Sequence, residues 1–292
     1  MMGTGTGAVQ MRRNVSGLVK HVIVFGFGLV MIYPLVWMFM SSFKDTNLVF
    51  QTAYSLIPSP WDFTNYRRGW VDAIGGRFTF ATFFLNSLFY AVVASVGAVM
   101  SSTLVAYSFS RGKYRGRKVL FALMLGTLML PAQVLMIPQF LWFHNLGWIG
   151  TWLPLIVPAF FATHGFFIFL TTNFMNAIPR ELDEAAKIDG CSFYGIFGRV
   201  ILPLSVPALI TSGLFSFIWR WDDFLGPLLY LQGRQQHFTV TLALRFFADP
   251  AGHTDWAAMF AMSTLSLIPS VLIFIFLQRY LVEGITTTGL KG

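Results

Sequence analysis

The chain is short of charge, and of acid above all. Only 11% of its 292 residues are charged and only 12 are Asp or Glu, against about 25% charged residues in an average soluble domain. That scarcity excludes an ordinary solvated surface, while a content of 55% hydrophobic and 17% aromatic residues excludes a disordered chain. Cysteine is nearly absent. Cys191 stands alone, so no intrachain disulfide can form, and its thiol is read as buried or inert. No G-x4-G-K-[S/T] phosphate loop occurs, so the chain cannot bind and hydrolyse ATP by that route. HExxH, cysteine-rich metal spacing and a G-x-S-x-G elbow are missing too, which leaves no catalytic or metal-ligating residue to name.

What the chain has instead is long uncharged runs. They extend over residues 22–43, 78–110, 119–143, 145–179, 200–219 and 256–278, and about 20 apolar residues suffice to cross a bilayer. The pattern predicts an all-α integral membrane protein with six transmembrane helices, near 19–42, 80–107, 119–141, 152–175, from Pro203 to the region of Trp219–Asp223, and 257–278. The first run follows Arg12, Arg13 and Lys20 as a signal peptide would. It is about twice the usual length and lacks a small-x-small cleavage site, so it is read as an uncleaved span.

Residues 1–18 are expected to be a poorly ordered cytoplasmic tail, 19–279 a six-helix transmembrane domain, and 280–292 a cytoplasmic C-terminal tail. The segment 43–78, with PSPWDFTNYRRGW, reads as an ordered cap on the outer bilayer surface. Net charge is +8, and 13 of the 20 Lys and Arg fall in segments that are cytoplasmic if both termini are inside. The RGKYRGRK loop carries most of that bias, which is how membrane proteins are oriented, so nucleic acid is not needed to explain it.

Four of the scarce acids, Glu181, Asp183, Glu184 and Asp189, crowd into ELDEAAKIDG, within a cytoplasmic loop spanning 178–203. Pro179 suits the first turn of a helix, and acids are stabilised near its N-terminus. Gly190 suits a left-handed end, and Ser192 can cap a second helix running toward Pro203. A short helix over about 180–189 is too charged to enter the bilayer. Leu182, Ala185, Ala186 and Ile188 give it small or apolar surface, and Glu184 is free to pair with a partner's cation. A docking helix and a solvated surface helix both fit these residues.

Glu184-Ala185-Ala186, three residues, Gly190, nine residues, Val200, one residue, then Leu202-Pro203 resembles the EAA signature of ABC importer permeases, EAA-x3-G-x9-I-x-LP. The sole departure is valine for isoleucine. NSLFYAVVASVGAVMSSTLVAYSFSR, FIWRWDDFLGPL and QRYLVEGITTTGLKG are similar to the carbohydrate-uptake branch, on the side of the maltose-type inner permease.

The resemblance implies the type I ABC importer permease architecture and a coupling loop that fits a cleft on a cytoplasmic ATPase. Glu184 would pair with the ATPase, Ala185 and Ala186 would pack in the cleft, and Gly190 would make the turn; Asp189, Leu202 and Pro203 complete the loop. Of the four acids Glu184 is assigned the contact, leaving Glu181, Asp183 and Asp189 to the helix dipole and solubility. The implied partners are a second permease subunit, two ATPase subunits that bind ATP and Mg, membrane lipid, and an extracytoplasmic solute-binding protein docking on 43–78 and 231–256. No cofactor belongs to this chain. The implied location is a bacterial cytoplasmic (inner) membrane.

Arg220, Trp221, Asp222 and Asp223 interrupt the fifth span. Either they form an interfacial cluster with tryptophan anchors, or they line a translocation path or outer gate, with Arg220 and Asp223 able to pair at i, i+3. Asp222 stands where the family often has asparagine. Asn86 and Gln133 are lone polar residues in spans, suited to helix packing or to a substrate path. A rival class, the ion-gradient-driven secondary transporter, would use Arg220, Asp222 and Asp223 for coupling.

Overall fold

The computed structural model describes the backbone of residues 5–71, 76–247 and 254–289 and, within those limits, side chains from residue 19 to residue 279 except at 246. Residues 1–4, 72–75, 248–253 and 290–292 lie outside the described residues. In chain order the helices are α1 (Gly5–Ser41), α2 (Thr64–Val71), α3 (Phe80–Arg111), α4 (Arg117–Thr127), α5 (Ala132–Asn145), α6 (Leu153–Ile156) and α7 (Gly165–Ala177). They continue with α8 (Glu181–Ile188), α9 (Phe193–Ile196), α10 (Leu202–Leu204), α11 (Val206–Trp221), α12 (Leu225–Tyr230), α13 (Val240–Leu244) and α14 (Trp256–Gly289).

Four stretches are long and apolar enough to cross a membrane: Val19–Ser41, Phe80–Arg111, Leu153–Ala177 and Trp256–Arg279. Two bent pairs, α4 with α5 at 97° and Phe193–Leu204 with α11 at 72°, raise the number among the described residues to six if each pair is one span. On that count the six expected spans are present, but the third is broken where a continuous helix was expected, and the fifth begins at Val206, close to the expected start at Pro203. Pro131, extended at ψ 127°, lacks an N–H and keeps its predecessor out of the helical region, so α4 ends before it. α11 likewise restarts with proline in its first turn. A further difference lies at the N-terminus, where α1 already begins at Gly5 instead of a tail reaching residue 18.

The chain divides into two compact units, Met1–Gly69 with Phe247–Thr264, and Trp70–Phe246 with Leu265–Gly292. In the first, the segment after α1 is ordered by its own backbone. Lys44 donates from Nζ to the carbonyls of Thr52 (2.8 Å) and Ser55 (2.7 Å), and burial lowers the pKa of its ammonium because the charged form is the one desolvation penalises. Fully buried Asn65 donates to the carbonyls of Ser42 (2.9 Å), Lys44 (2.9 Å) and Asp62 (3.1 Å). The two N–H of that amide are shared among three carbonyls that burial would otherwise orphan.

α3 is the axis of the second unit, with α7 and α11 packed on it. Ala94, Ala98, Ser102, Ala106 and Ser110 recur every fourth residue along it, all buried, so one narrow stripe lets neighbours approach. Gly97 shows how close they come: a Cβ there would lie 2.6 Å from the ring of Phe160. A cluster including Tyr90, Phe143, Phe167 and Tyr230 packs at one end of this stripe. A second, with Ala106, Tyr107, Met175, Ala186 and Ile201, packs at the other.

Candidate coupling surface and outer polar cluster

α8 forms where the acids predicted it, one residue shorter at each end, with Pro179 just outside and Arg180 at the N-cap. Gly190 has φ 80°, the left-handed conformation that favours glycine, and its amide bonds the carbonyl of Lys187 at 3.0 Å. Ser192 then caps α9, accepting from the amide of Gly195 at 3.1 Å. The result is a helix, a sharp turn and a second helical run to Leu204.

The helical period sorts the residues of α8 between two faces. Asp183 and Ala186 are buried, whereas Glu181, Glu184 and Ala185 are exposed and Ile188 is 88% exposed. Steps of three and four residues put those exposed side chains on one face. Tyr194, 82% exposed, follows just past the turn. An apolar side chain this exposed, beside acids and away from the long apolar spans, makes the face suited to a protein partner.

Two assignments are corrected here. Asp183 does not serve dipole and solubility alone. Its Oδ2 lies 2.6 Å from Arg111 Nε, with both side chains almost fully buried. The guanidinium also donates to the carbonyls of Met175 (2.9 Å) and Ile178 (2.8 Å) and to Ser110 Oγ (3.0 Å), and Ser110 donates to Asn176 Oδ1 at 2.8 Å. Asp183 is thus an internal anchor that ties α8 to the ends of α3 and α7. Ala186 is corrected as well, because it packs against this chain's own Met175 and Ile201, leaving Ala185 as the exposed alanine. Leu202 is half-buried, and Pro203 and Asp189 are exposed. Cys191, half-buried and free, lies against the same cluster.

The second group of predicted residues meets near the other end of α3. Tyr90 donates to Asp223 Oδ2 at 3.0 Å, and the amide of Gly226 donates to Asp223 Oδ1 at 3.0 Å. Arg220 donates to the carbonyl of Ser216 at 3.2 Å and to its hydroxyl. The anticipated Arg220–Asp223 ion pair is not formed among the described residues, since each group bonds closer neighbours. Trp221 is no interfacial anchor. It is 2% exposed, stacks on Phe217 and donates to the carbonyl of Ser266 at 2.9 Å. Trp219, 47% exposed, keeps an outward surface, as does Asp222.

Asn86 holds the chain itself, donating to the carbonyls of Gln236 (2.7 Å) and Phe238 (3.0 Å). Gln133 makes no hydrogen bond with these residues but shares a cavity lining with Phe238. It lines a cavity of about 600 Å³ with Met136, Ile137, Leu228, Gln232 and Leu242.

Sequence reasoning missed Arg111, Tyr90 and Tyr194 as participants, whereas Ile188 was already placed on the apolar surface of the docking helix. Arg111 was counted only as part of the basic loop, although it directly follows the small-residue row ending at Ser110.

Residues 97–287 match the family described as binding-protein-dependent transport system inner membrane component. The chain is 34% identical over 271 residues to a probable ABC transporter permease protein, YurM, of Bacillus subtilis, covering 93% of this chain and 87% of the relative. It is 30% identical to the arabinooligosaccharides transport system permease protein AraQ of Halalkalibacterium halodurans, over 97% and 100% of the two chains. The trehalose/maltose transport system permease protein MalG of Thermococcus litoralis is 30% identical over 90% and 93%.

In structure the chain is similar to a bacterial ABC transporter involved in the import of the acidic polysaccharide alginate. The TM-score is 0.79 at 26% identity, with 91% of this chain and 96% of the other covered. The relatives do not favour the ion-driven alternative. With its EAA loop, its multi-pass helices and this match over most of its length, the chain belongs to the binding-protein-dependent inner membrane permeases of ABC importers, in the carbohydrate-uptake group, as a non-enzymatic subunit.

Proposed function

We propose that this permease forms half of an ATP-driven oligosaccharide pathway and takes its power stroke through the exposed face of α8. The observation that carries this reading is the division of α8 into an anchored face and an outward one, where Glu184, Ala185 and Ile188 stand together. Glu184 pairs with a cation of a cytoplasmic ATPase, Ala185 lets the backbones come close, and Ile188 fills an apolar pocket. This is the arrangement that gives an interface register and orientation.

In this reading a second permease completes the pathway, and two ATPase subunits hold ATP and Mg. A solute-binding protein docks on the outer segments 43–78 and 231–256, with both termini of the permease cytoplasmic. ATP binding closes the ATPase pair, α8 carries the movement inward, and the pathway switches the side to which it opens. The cavity with Gln133 and Gln232 offers amides to sugar hydroxyls, whereas Asn86, Arg220 and Asp223 are committed to internal bonds and hold the outer end together.

Relatives named for arabinooligosaccharides and trehalose/maltose, and the structural neighbour named for alginate, support an oligosaccharide or related sugar. The test is ATPase stimulation of the reconstituted complex, binding protein included, by arabino-oligosaccharides, maltose, trehalose and alginate oligomers. Stimulation and uptake of at least one are expected. Uptake driven by an ion gradient without ATP would overturn the reading.

A further inference from the structure

We propose that the buried Arg111–Asp183 pair is the link by which movement of α8 reaches the far end of α3, which makes both residues positioning residues for transport. The inference rests on the reading that α8 docks on the ATPase, and it concerns the inward face of α8, which that reading leaves unused.

Three observations carry it. The first is the convergence of contacts on one side chain. Arg111 is the last residue of α3: its Nη1 donates to Met175 and Ser110 and its Nη2 to Ile178, while Nε faces Asp183 Oδ2 at 2.6 Å as an ion pair without hydrogen-bond alignment. A planar guanidinium fixed this way holds α8 and the end of α7 in one orientation relative to α3.

The second is the behaviour of Asp183. Its buried Oδ1 has no hydrogen-bond partner among the described residues, and there the carboxylate's ion pair is with Arg111. Replacing a buried ion pair by apolar residues is often neutral or stabilising. Stability alone therefore gives no reason for a charge pair here, whereas a fixed direction between two helices does.

The third is that the other end of α3 is tied down as firmly. Asn86 bonds the carbonyls of Gln236 and Phe238, Ser87 Oγ accepts from the amide of Val240 at 2.8 Å, and Tyr90 bonds Asp223. Between these ends α3 runs 32 residues without a proline, about 48 Å at 1.5 Å per residue. A pull on Arg111 is thus delivered as a rigid-body shift to the segment from Asp223 to Val240.

The experiment uses the full complex with its ATPase subunits. In a Cys191→Ala background, Thr82→Cys reports on the far end of α3 through its rate of reaction with a maleimide, with and without ATP plus vanadate. The unmutated pair is expected to give a nucleotide-dependent change in rate. Asp183→Asn should reduce that change on the order of tenfold while the ATPase stays bound and hydrolyses ATP, and Asp183→Glu should restore part of it.

Because Asp183→Asn strands a buried cation and could unfold the loop, the double variant Arg111→Met with Asp183→Leu provides a folded, uncharged comparison. It too should lose the response. A normal response in either charge-removing variant, or no response in the complex with the pair intact, would overturn the proposal. Loss of the ATPase from Asp183→Asn and the double variant alike would reduce the pair to a structural support and overturn it as well. Absence of any ATPase from the complex with the pair intact would instead remove the docking reading, and this inference with it.

Discussion

α3 has polar clusters near both ends, and they use charge in different ways. At the Arg111 end one acid, Asp183, is buried on Arg111, while Glu181 and Glu184 on another face of the same helix are left exposed. At the Asn86 end Asp223 is held by Tyr90 and the Gly226 amide, and Arg220 turns back on Ser216. Little is left over there except Asp222. The lesson is that a cluster of acids is not a site by count. What matters is which of them the fold has already used, and of these two clusters the one at Arg111 keeps a coherent face of unused acid and apolar surface.

The contrast can be broken most severely at Ala186. If α8 were merely a solvated surface helix, Ala186→Glu would be harmless. Because the residue is buried against Met175 and Ile201, a carboxylate there should cost several kcal/mol, read as a large fall in the melting temperature of the detergent-solubilised permease. Tyr90→Phe probes the other cluster by removing one hydrogen bond to a carboxylate. It should cost about 1.5–3 kcal/mol in the same assay, and the loss should shrink in an Asp223→Asn background, since the two share one interaction. Asp222→Asn should be the mildest. The residue is exposed, so stability should stay within about 0.5 kcal/mol, and an unchanged transport rate would place this acid outside the pathway.

Much of this was legible from the residues. Charge spacing located six apolar crossings, and the Gly190–Ser192 turn followed from backbone chemistry alone, because few sequences make a left-handed end followed by a cap without forming that turn. The break at Pro131 was not anticipated, whereas the one at Ser205 falls close to the expected start of the fifth span at Pro203. A proline in a membrane helix can be tolerated or can end it, and neighbouring elements decide which.

The roles of Asp183 and Glu184 were assigned by family resemblance and by position in the helix, and position does not tell a buried face from an exposed one until the partner helix is known. Arg111 settles the matter for Asp183. Its identity as a clamp depends on a contact between residues more than 70 positions apart, which no local pattern encodes. The same holds for Tyr90 and Asp223.

The central claim is that the outward face of α8 is where the ATPase docks, with Glu184 as its charged contact. The direct measurement is co-purification of the ATPase with the permease carrying Glu184→Lys, alongside ATP-driven sugar uptake by the same preparation. The account predicts a permease still inserted in the membrane and stable in detergent, with the ATPase lost and uptake abolished. Retention of a stoichiometric ATPase with unimpaired uptake would contradict it.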